Sequence, residues 1–319
     1  MNAGTSAAAE TMKREERHAE GLSPRALEDL GLHGYVVLRG LLTPAQVDRA
    51  RSAMDEILSS RANQIRLRHT RSTTTDGSER WDYYDFAPND RAVRSRDAEA
   101  LVAAPGLRIQ GEPGTTAASG EVELRVRKVE NYRDVHPFFF SLLHDEPSLR
   151  EPVRSALGDD PVLYSCMALL KPPRGGVEKP WHQDAAYFNV EPLSAAIGLW
   201  VALDPATPEN GCMHVAPGWH TRGAFEHVHR ADCEIADPAG LAEASVPIPL
   251  GSGDALLFSS MLPHMTPVNH SAQRRWALQL HYRGARSALV GKVEYDRLFA
   301  TADGRPASCF PASPREARR

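Results

Sequence analysis

Residues 275–283 read RWALQLHYR, and residues 195–204 read AAIGLWVALD. In the first stretch Trp276, Leu278, Leu280 and Tyr282 fall on one face of an extended chain, and Arg275, Ala277, Gln279, His281 and Arg283 on the other. In the second, Ile197, Leu199, Val201 and Leu203 share a face, while Ala196, Gly198, Trp200 and Ala202 oppose them and are mostly small, as though leaving room. A period of two with one apolar face predicts a strand packed on another layer. The polar face of 275–283 admits two readings on periodicity alone: solvent, as in most antiparallel sheets, or an interior that must hold something polar.

Outward from these two stretches the same pattern recurs. Residues 123–129 (ELRVRKV), 161–171 (PVLYSCMALLK), 213–217 (MHVAP) and 254–260 (DALLFSS) read as short strands separated by Gly, Pro and Asn turns. Such punctuation predicts an antiparallel sandwich or barrel and not a parallel α/β sheet. Helices flank it. Residues 133–157 read as helical, and 33–60 as a short strand (Tyr35 to Arg39), a turn and a helix. Thr43 is placed to cap that helix, with Pro44 at its first position and Gln46 completing a capping box. Val47, Ala50, Met54, Ile57 and Leu58 then recur at helical spacing, so the helix is expected to buttress the sheet. The predicted class is mainly β with flanking helices.

The chain has 319 residues, 42% hydrophobic and 24% charged, the composition of a globular protein and not of a disordered or fibrous one. Lys+Arg 37 against Asp+Glu 41 gives a net charge of −4, which leaves no basic footprint for nucleic acid or anionic lipid. No apolar run reaches the ~20 residues of a membrane span, and the start lacks the apolar region of a secretory signal. Four cysteines without C-x-x-C spacing argue against a disulfide framework and predict a reducing, cytoplasmic setting. Only five of the 37 basic residues are lysine, a bias that reads as a GC-rich bacterial coding sequence. Residues 1–20 and 301–319 read as loose tails around one domain, 21–300. Within it, 61–120 is aperiodic and carries Trp81, Tyr83, Tyr84 and Phe86 among charges, which predicts a variable insertion that is either a substrate lid or a plain surface loop.

Chemistry concentrates in PWHQDAAYF, residues 180–188. His182 and Asp184 are two apart, so an extended backbone sends both side chains to one side, where an imidazole and a carboxylate can grip one ion. The spacing alone is a weak signal among 13 histidines. His264, between an apolar strand and the turn that leads into residues 275–283, is the candidate third ligand, and two histidines with one carboxylate suit non-haem Fe(II). Arg275 follows at the start of the returning strand, where a guanidinium could hold a carboxylate through two parallel bonds, and Thr266 could offer it a hydroxyl.

PWHQD, the KPP before it (171–173), ENGCMHVAPGWH after it (209–220) and the His264 to Arg275 segment together resemble the phytanoyl-CoA hydroxylase family. The similarity runs from about Leu30 to Tyr282 and leaves 61–120 aside. It implies a double-stranded β-helix (jelly-roll, cupin-like) core and an oxygenase that uses Fe(II), 2-oxoglutarate and O2. It implies further that His182, Asp184 and His264 are the metal ligands and catalytic centre. By the same resemblance Arg275, Thr266, Lys128, Trp200 and Met167 form the 2-oxoglutarate pocket, and Asn269 is a structural turn residue. In a jelly roll Trp200, Arg275 and Gln279 face inward, so Gln279 and His281 become candidates for substrate or cosubstrate contact. Tyr187 and Phe188 are expected to shape the substrate mouth. Related halogenases of this fold lack the carboxylate ligand, so Asp184 favours hydroxylation or oxidative cyclisation without halide. The expected partner is a small molecule, with antibiotic tailoring as the leading substrate class. A cupin-like isomerase or hydrolase and a non-catalytic metal-binding protein are the alternatives. Substrate, oxidised carbon and oligomeric state are not written in these motifs.

Overall fold

The computed structural model describes residues 20–62, 68–73, 79–85, 107–112, 126–230 and 232–309. Two helices open the described chain, α1 (Pro24–His33) and α2 (Pro44–Ala62), with β1 (Tyr35–Leu38) between them. The predicted capping box forms. The Thr43 backbone N–H donates to Gln46 Oε1 at 2.9 Å, and the Gln46 N–H donates to Thr43 Oγ1 at 3.1 Å. The five apolar residues at helical spacing in α2 are all buried, packed with the outer face of the main sheet.

Next come β2 (Arg68–Thr73), β3 (Glu79–Asp85), β4 (Arg108–Gly111) and β5 (Val126–Glu130), then α3 (Pro137–His144) and α4 (Pro147–Leu157). The jelly roll follows: β6 (Pro161–Lys171), β7 (Lys179–His182), β8 (Val190–Glu191), β9 (Ala196–Ala202) and β10 (Met213–Val215). It continues through β11 (His227–His229), β12 (Cys233–Ile235), β13 (Val246–Ile248), β14 (Ala255–Ser259), β15 (His264–Thr266), β16 (Arg275–Gly284) and β17 (Ala288–Leu289), and α5 (Lys292–Leu298) ends the regular structure.

Among the described residues the strands form a nine-stranded sheet, β1-β14-β9-β16-β6-β5-β4-β3-β2, and a four-stranded sheet, β13-β10-β15-β7. Their pairings are antiparallel. Two cores follow from the alternation read in the sequence. Leu199, Val201, Leu278 and Leu280 pack outward with α2, α3 and α4, whereas Trp200, Ala202 and Ala277 face the four-stranded sheet and meet Met213, Val215 and Ile248. The polar face of β16 is therefore interior: Arg275, Gln279 and His281 are all buried.

Three expectations need correction or bounding. Part of the 61–120 insertion is not aperiodic, because β2, β3 and β4 extend the large sheet; residues 63–67, 74–78, 86–106 and 113–120, the lid reading and residues 1–19 of the first tail lie outside the described residues. The second tail does not start at residue 301. Ala307 is buried, and the Cys309 N–H donates to the Ala186 carbonyl at 2.8 Å. Cys233 and Cys309 form a disulfide, Cα to Cα 6.2 Å, although they are 76 residues apart. Local spacing could not announce a pairing created by the return of the chain end. Cys166 and Cys212 are free and buried. No helix among the described residues is long and apolar enough to cross a membrane.

Candidate metal and cosubstrate site

His182 closes β7 and His264 opens β15, and antiparallel pairing of these strands sets the two histidines directly opposite each other. Their ring centroids are 4.1 Å apart. Asp184 opens the short 3-10 turn after β7 and sends Oδ1 to 3.6 Å from Nε2 of each histidine. All three residues are buried, and their ligand atoms lie within 4.8 Å of one another.

The outer nitrogens fix the tautomers. His182 Nδ1 is 2.8 Å from the Pro180 carbonyl and His264 Nδ1 is 2.9 Å from that of Leu262. A carbonyl only accepts, so each Nδ1 carries the hydrogen and each Nε2 lone pair is turned toward Asp184. Burial first, then the neighbouring His264, pushes His182 down to about 3, and burial lowers His264 as well. Burial alone would raise Asp184, but the surrounding imidazoles outweigh it and hold the carboxyl well below its usual range. Two neutral imidazoles and one carboxylate are the donor set that suits Fe(II) with positions left open.

The loop carrying Asp184 is locked from outside. Gln183, between the two ligands, turns away and spends its whole side chain on backbone: Nε2 donates to Gly223 (3.0 Å) and Met261 (2.7 Å), and Oε1 accepts from the Phe225 N–H (2.9 Å). Its own N–H donates to His227 Nε2 at 3.0 Å. Tyr295 Oη donates to the Ala185 carbonyl at 2.6 Å.

Arg275 opens β16 and is only 1% exposed, yet its Nε and Nη1 have no hydrogen-bond partner. The guanidinium lies 5.2 Å from the ring centroid of Trp200, whose Nε1 is also buried and unpartnered. Burial lowers Arg275 to about 10, which leaves it a cation at neutral pH. Orphaned buried donors are costly and rare in native proteins, so these atoms mark a place for an acceptor. A carboxylate of 2-oxoglutarate fits that requirement, and Thr266, buried two residues beyond His264, lines the same cavity.

One cavity of about 430 Å³ joins these parts and is lined by every site residue singled out from the sequence: the three ligands, the five cosubstrate candidates, and Tyr187, Phe188, Gln279 and His281. Lys128 pairs with Glu130 at 2.6 Å. Tyr187 Oη donates to the Cys233 carbonyl at 2.9 Å and also meets Lys179. Phe188 packs edge-on against Tyr164 and His281.

Sequence reasoning assigned no role to Lys171, Gln183 or His227. Lys171 is the cross-strand partner of Arg275, and its Nζ donates to the carbonyls of Val177 (2.9 Å) and Pro267 (2.5 Å). Burial first, then Arg275, pushes it down to about 6. The available signal was its position before Pro172 and Pro173, where a strand must end. Gln183 and His227 had no local signal, since their partners are remote in sequence.

The sequence profile of the family "Phytanoyl-CoA dioxygenase (PhyH)" matches residues 31–277. The chain is 28% identical over 273 residues to the mouse (Mus musculus) "Phytanoyl-CoA dioxygenase domain-containing protein 1", covering 82% of this chain and 89% of that protein. It is 37% identical over 126 residues to a "Methylphosphonate hydroxylase" of Gimesia maris, covering 40% of this chain and 46% of the hydroxylase. In fold it is similar to the "non-heme alpha ketoglutarate dependent carbocyclase SnoK from nogalamycin biosynthesis". That match has a TM-score of 0.56 at 21% identity and covers 92% of this chain and 96% of the other. A jelly roll with a His-Asp-His triad and a buried cationic pocket is the architecture of a non-haem iron dioxygenase, and this chain belongs to the phytanoyl-CoA dioxygenase family.

Proposed function

We propose that the protein oxidises an unactivated C–H bond of a small molecule, consuming O2 and 2-oxoglutarate and releasing succinate and CO2. The observation that carries this reading is the orphaned Arg275 guanidinium in the same cavity as the metal triad. His182, Asp184 and His264 would hold the iron, which when bound supplies the oxidising power. The chain supplies the rest. Arg275 and Thr266 bind and orient the far carboxylate of the keto acid, and Trp200 walls the pocket and limits water. Tyr187 and Phe188 bound the mouth where substrate enters. For hydroxylation the balance is R–H + 2-oxoglutarate + O2 giving R–OH + succinate + CO2; for desaturation or ring closure the substrate loses two hydrogens and water forms in place of the alcohol.

The substrate is read as a weakly charged natural product, modified in a bacterial biosynthetic pathway. The cations at the mouth support this. Lys128 pairs with Glu130, and Asp232 stands 2.9 Å from Lys179 and 3.8 Å from Arg127, an arrangement that favours a neutral ligand over the phosphates of an acyl-CoA. The nogalamycin carbocyclase, similar in fold, supports the natural-product class.

Purified protein given Fe(II), ascorbate, 2-oxoglutarate and metabolite extracts tests the proposal. Succinate should form together with a product that gains one oxygen or loses two hydrogens. His182→Ala should abolish both, and undiminished turnover in that variant would falsify the metal assignment. A protein that retained zinc and ignored 2-oxoglutarate would instead be a cupin-like isomerase or hydrolase.

A further inference from the structure

We propose that His281 is a positioning residue for the metal carboxylate. Its imidazole holds one oxygen of Asp184 away from the metal and so decides that the other oxygen alone is presented. The inference rests on the iron reading above and goes beyond it in assigning a role to a residue that is not a ligand.

The two oxygens of Asp184 have different surroundings. Oδ1 is equidistant, at 3.6 Å, from the ligating nitrogens of His182 and His264. Oδ2 lies 3.0 Å from His281 Nε2. A carboxylate accepts only, so His281 Nε2 must carry the hydrogen and donate it. His281 Nδ1 is buried without a partner, so nothing competes for the proton at the other side of the ring. Gln279 approaches the same Nε2 at 2.9 Å. With that nitrogen already a donor, the Gln279 amide, whose nitrogen is placed there, is consistent only when flipped so that its oxygen shares the same N–H with Asp184.

The backbone explains how His281 reaches this place. It lies in β16 between two hydrogen-bonded neighbours, opposite Ser165 of β6 and Gly198 of β9. The register of β16 against β6 slips immediately after His281, and bulges of this kind re-aim side chains beside active sites. Phe188 closes the edge, its ring centroid 4.7 Å from that of His281. The imidazole is 2% exposed, so its N–H is turned to protein and not to bulk solvent. If both oxygens of Asp184 bound the metal, one of the positions needed by the keto acid and O2 would be taken. A donor fixed on Oδ2 prevents this, and carboxylates around metals depend on such outer partners.

His281→Phe and His281→Met remove the donor while keeping bulk against Phe188; His281→Gln restores a donor. Each is titrated with Co(II) in the absence of turnover, with affinity and the visible spectrum of the bound ion as readouts, alongside the thermal midpoint of the metal-free protein and 2-oxoglutarate affinity at saturating metal. Folded Phe or Met variants should bind Co(II) about 10- to 100-fold more weakly, with an altered spectrum and a lower 2-oxoglutarate affinity at saturating metal. The Gln variant should recover most of the loss. Wild-type Co(II) affinity and spectrum in a folded Phe or Met variant would overturn the proposal. Failure of the wild type itself to bind Co(II) would overturn the metal site, and the proposal with it.

Discussion

Phe258 lies so close over Gly198 that a Cβ built on the glycine would stand 2.5 Å from its ring carbon Cζ. The two residues are direct cross-strand partners in β14 and β9, and the Phe258 ring also packs edge to face with His264, centroid to centroid 4.9 Å. The small residue was expected to leave room, and the room is taken by this ring.

Gly198→Ala should therefore act at a distance. The methyl must displace the phenyl ring that packs on His264, and overpacking of this kind costs about 1–3 kcal/mol. Thermal melts should show the loss, and Co(II) titration should show weakened binding through His264. A variant unchanged in both would mean that the ring yields freely.

Arg275→Met should have two effects of opposite sign. Replacing a buried cation with orphaned nitrogens by an apolar chain of similar length should stabilise the protein without ligand, because the desolvated charge has no partner to offset its burial. The same change removes the carboxylate anchor. Charge-assisted bonds contribute about 1.5–3 kcal/mol each, so losing two weakens 2-oxoglutarate binding about 100-fold or more. Calorimetry should find a higher melting temperature without ligand and no further rise on adding the keto acid.

His227 gives the fold an acid limit. Its Nδ1 faces the Phe225 carbonyl at 2.7 Å and must donate, which leaves Nε2 as acceptor for the Gln183 N–H between the two metal ligands. Burial is the main cause that pushes its pKa down to about 4. Between that value and about 6.5 the unfolded chain binds a proton that the folded chain refuses. Stability should fall as pH drops from about 6.5 to about 4 and level off below, a total of about 3 kcal/mol from this group. His227→Gln keeps an acceptor that does not titrate, so its melting curves should lose this part of the slope.

Cys309→Ser should loosen the chain end without emptying the metal site. The disulfide to Cys233 spans 76 residues, and the chain-entropy view sets its contribution at up to about 4 kcal/mol. Ala185 stays held by Ser260 and Tyr295, so Co(II) affinity should persist while the melting temperature falls and residues 301–309 become open to protease. Equal melting of the oxidised protein and the variant would show that the bond carries no stability.

What the sequence disclosed follows from the range of the interactions involved. Alternation in 195–204 and 275–283, the Thr43 capping box and the apolar stripe of α2 are local patterns, and all formed. The side to which the polar face of β16 points was decided by the second sheet, and only family resemblance turned that reading inward. Tyr187 and Phe188 were expected at the cavity, but not the anchoring of Tyr187 to Cys233 or the packing of Phe188 on His281. The roles of Gln183, His227 and the disulfide join residues 40 or more positions apart, for which a chain read in order gives no sign.

His182 and His264 sit opposite each other on the β7–β15 ladder, whose register shifts just past His264, each with its outer nitrogen already tied to a carbonyl. The centre is thus a mould cast by the backbone before any ion arrives, unlike a clasp that an ion must draw shut. Chelators should strip such a site reversibly, leaving a folded vessel that regains competence when ferrous salt is returned.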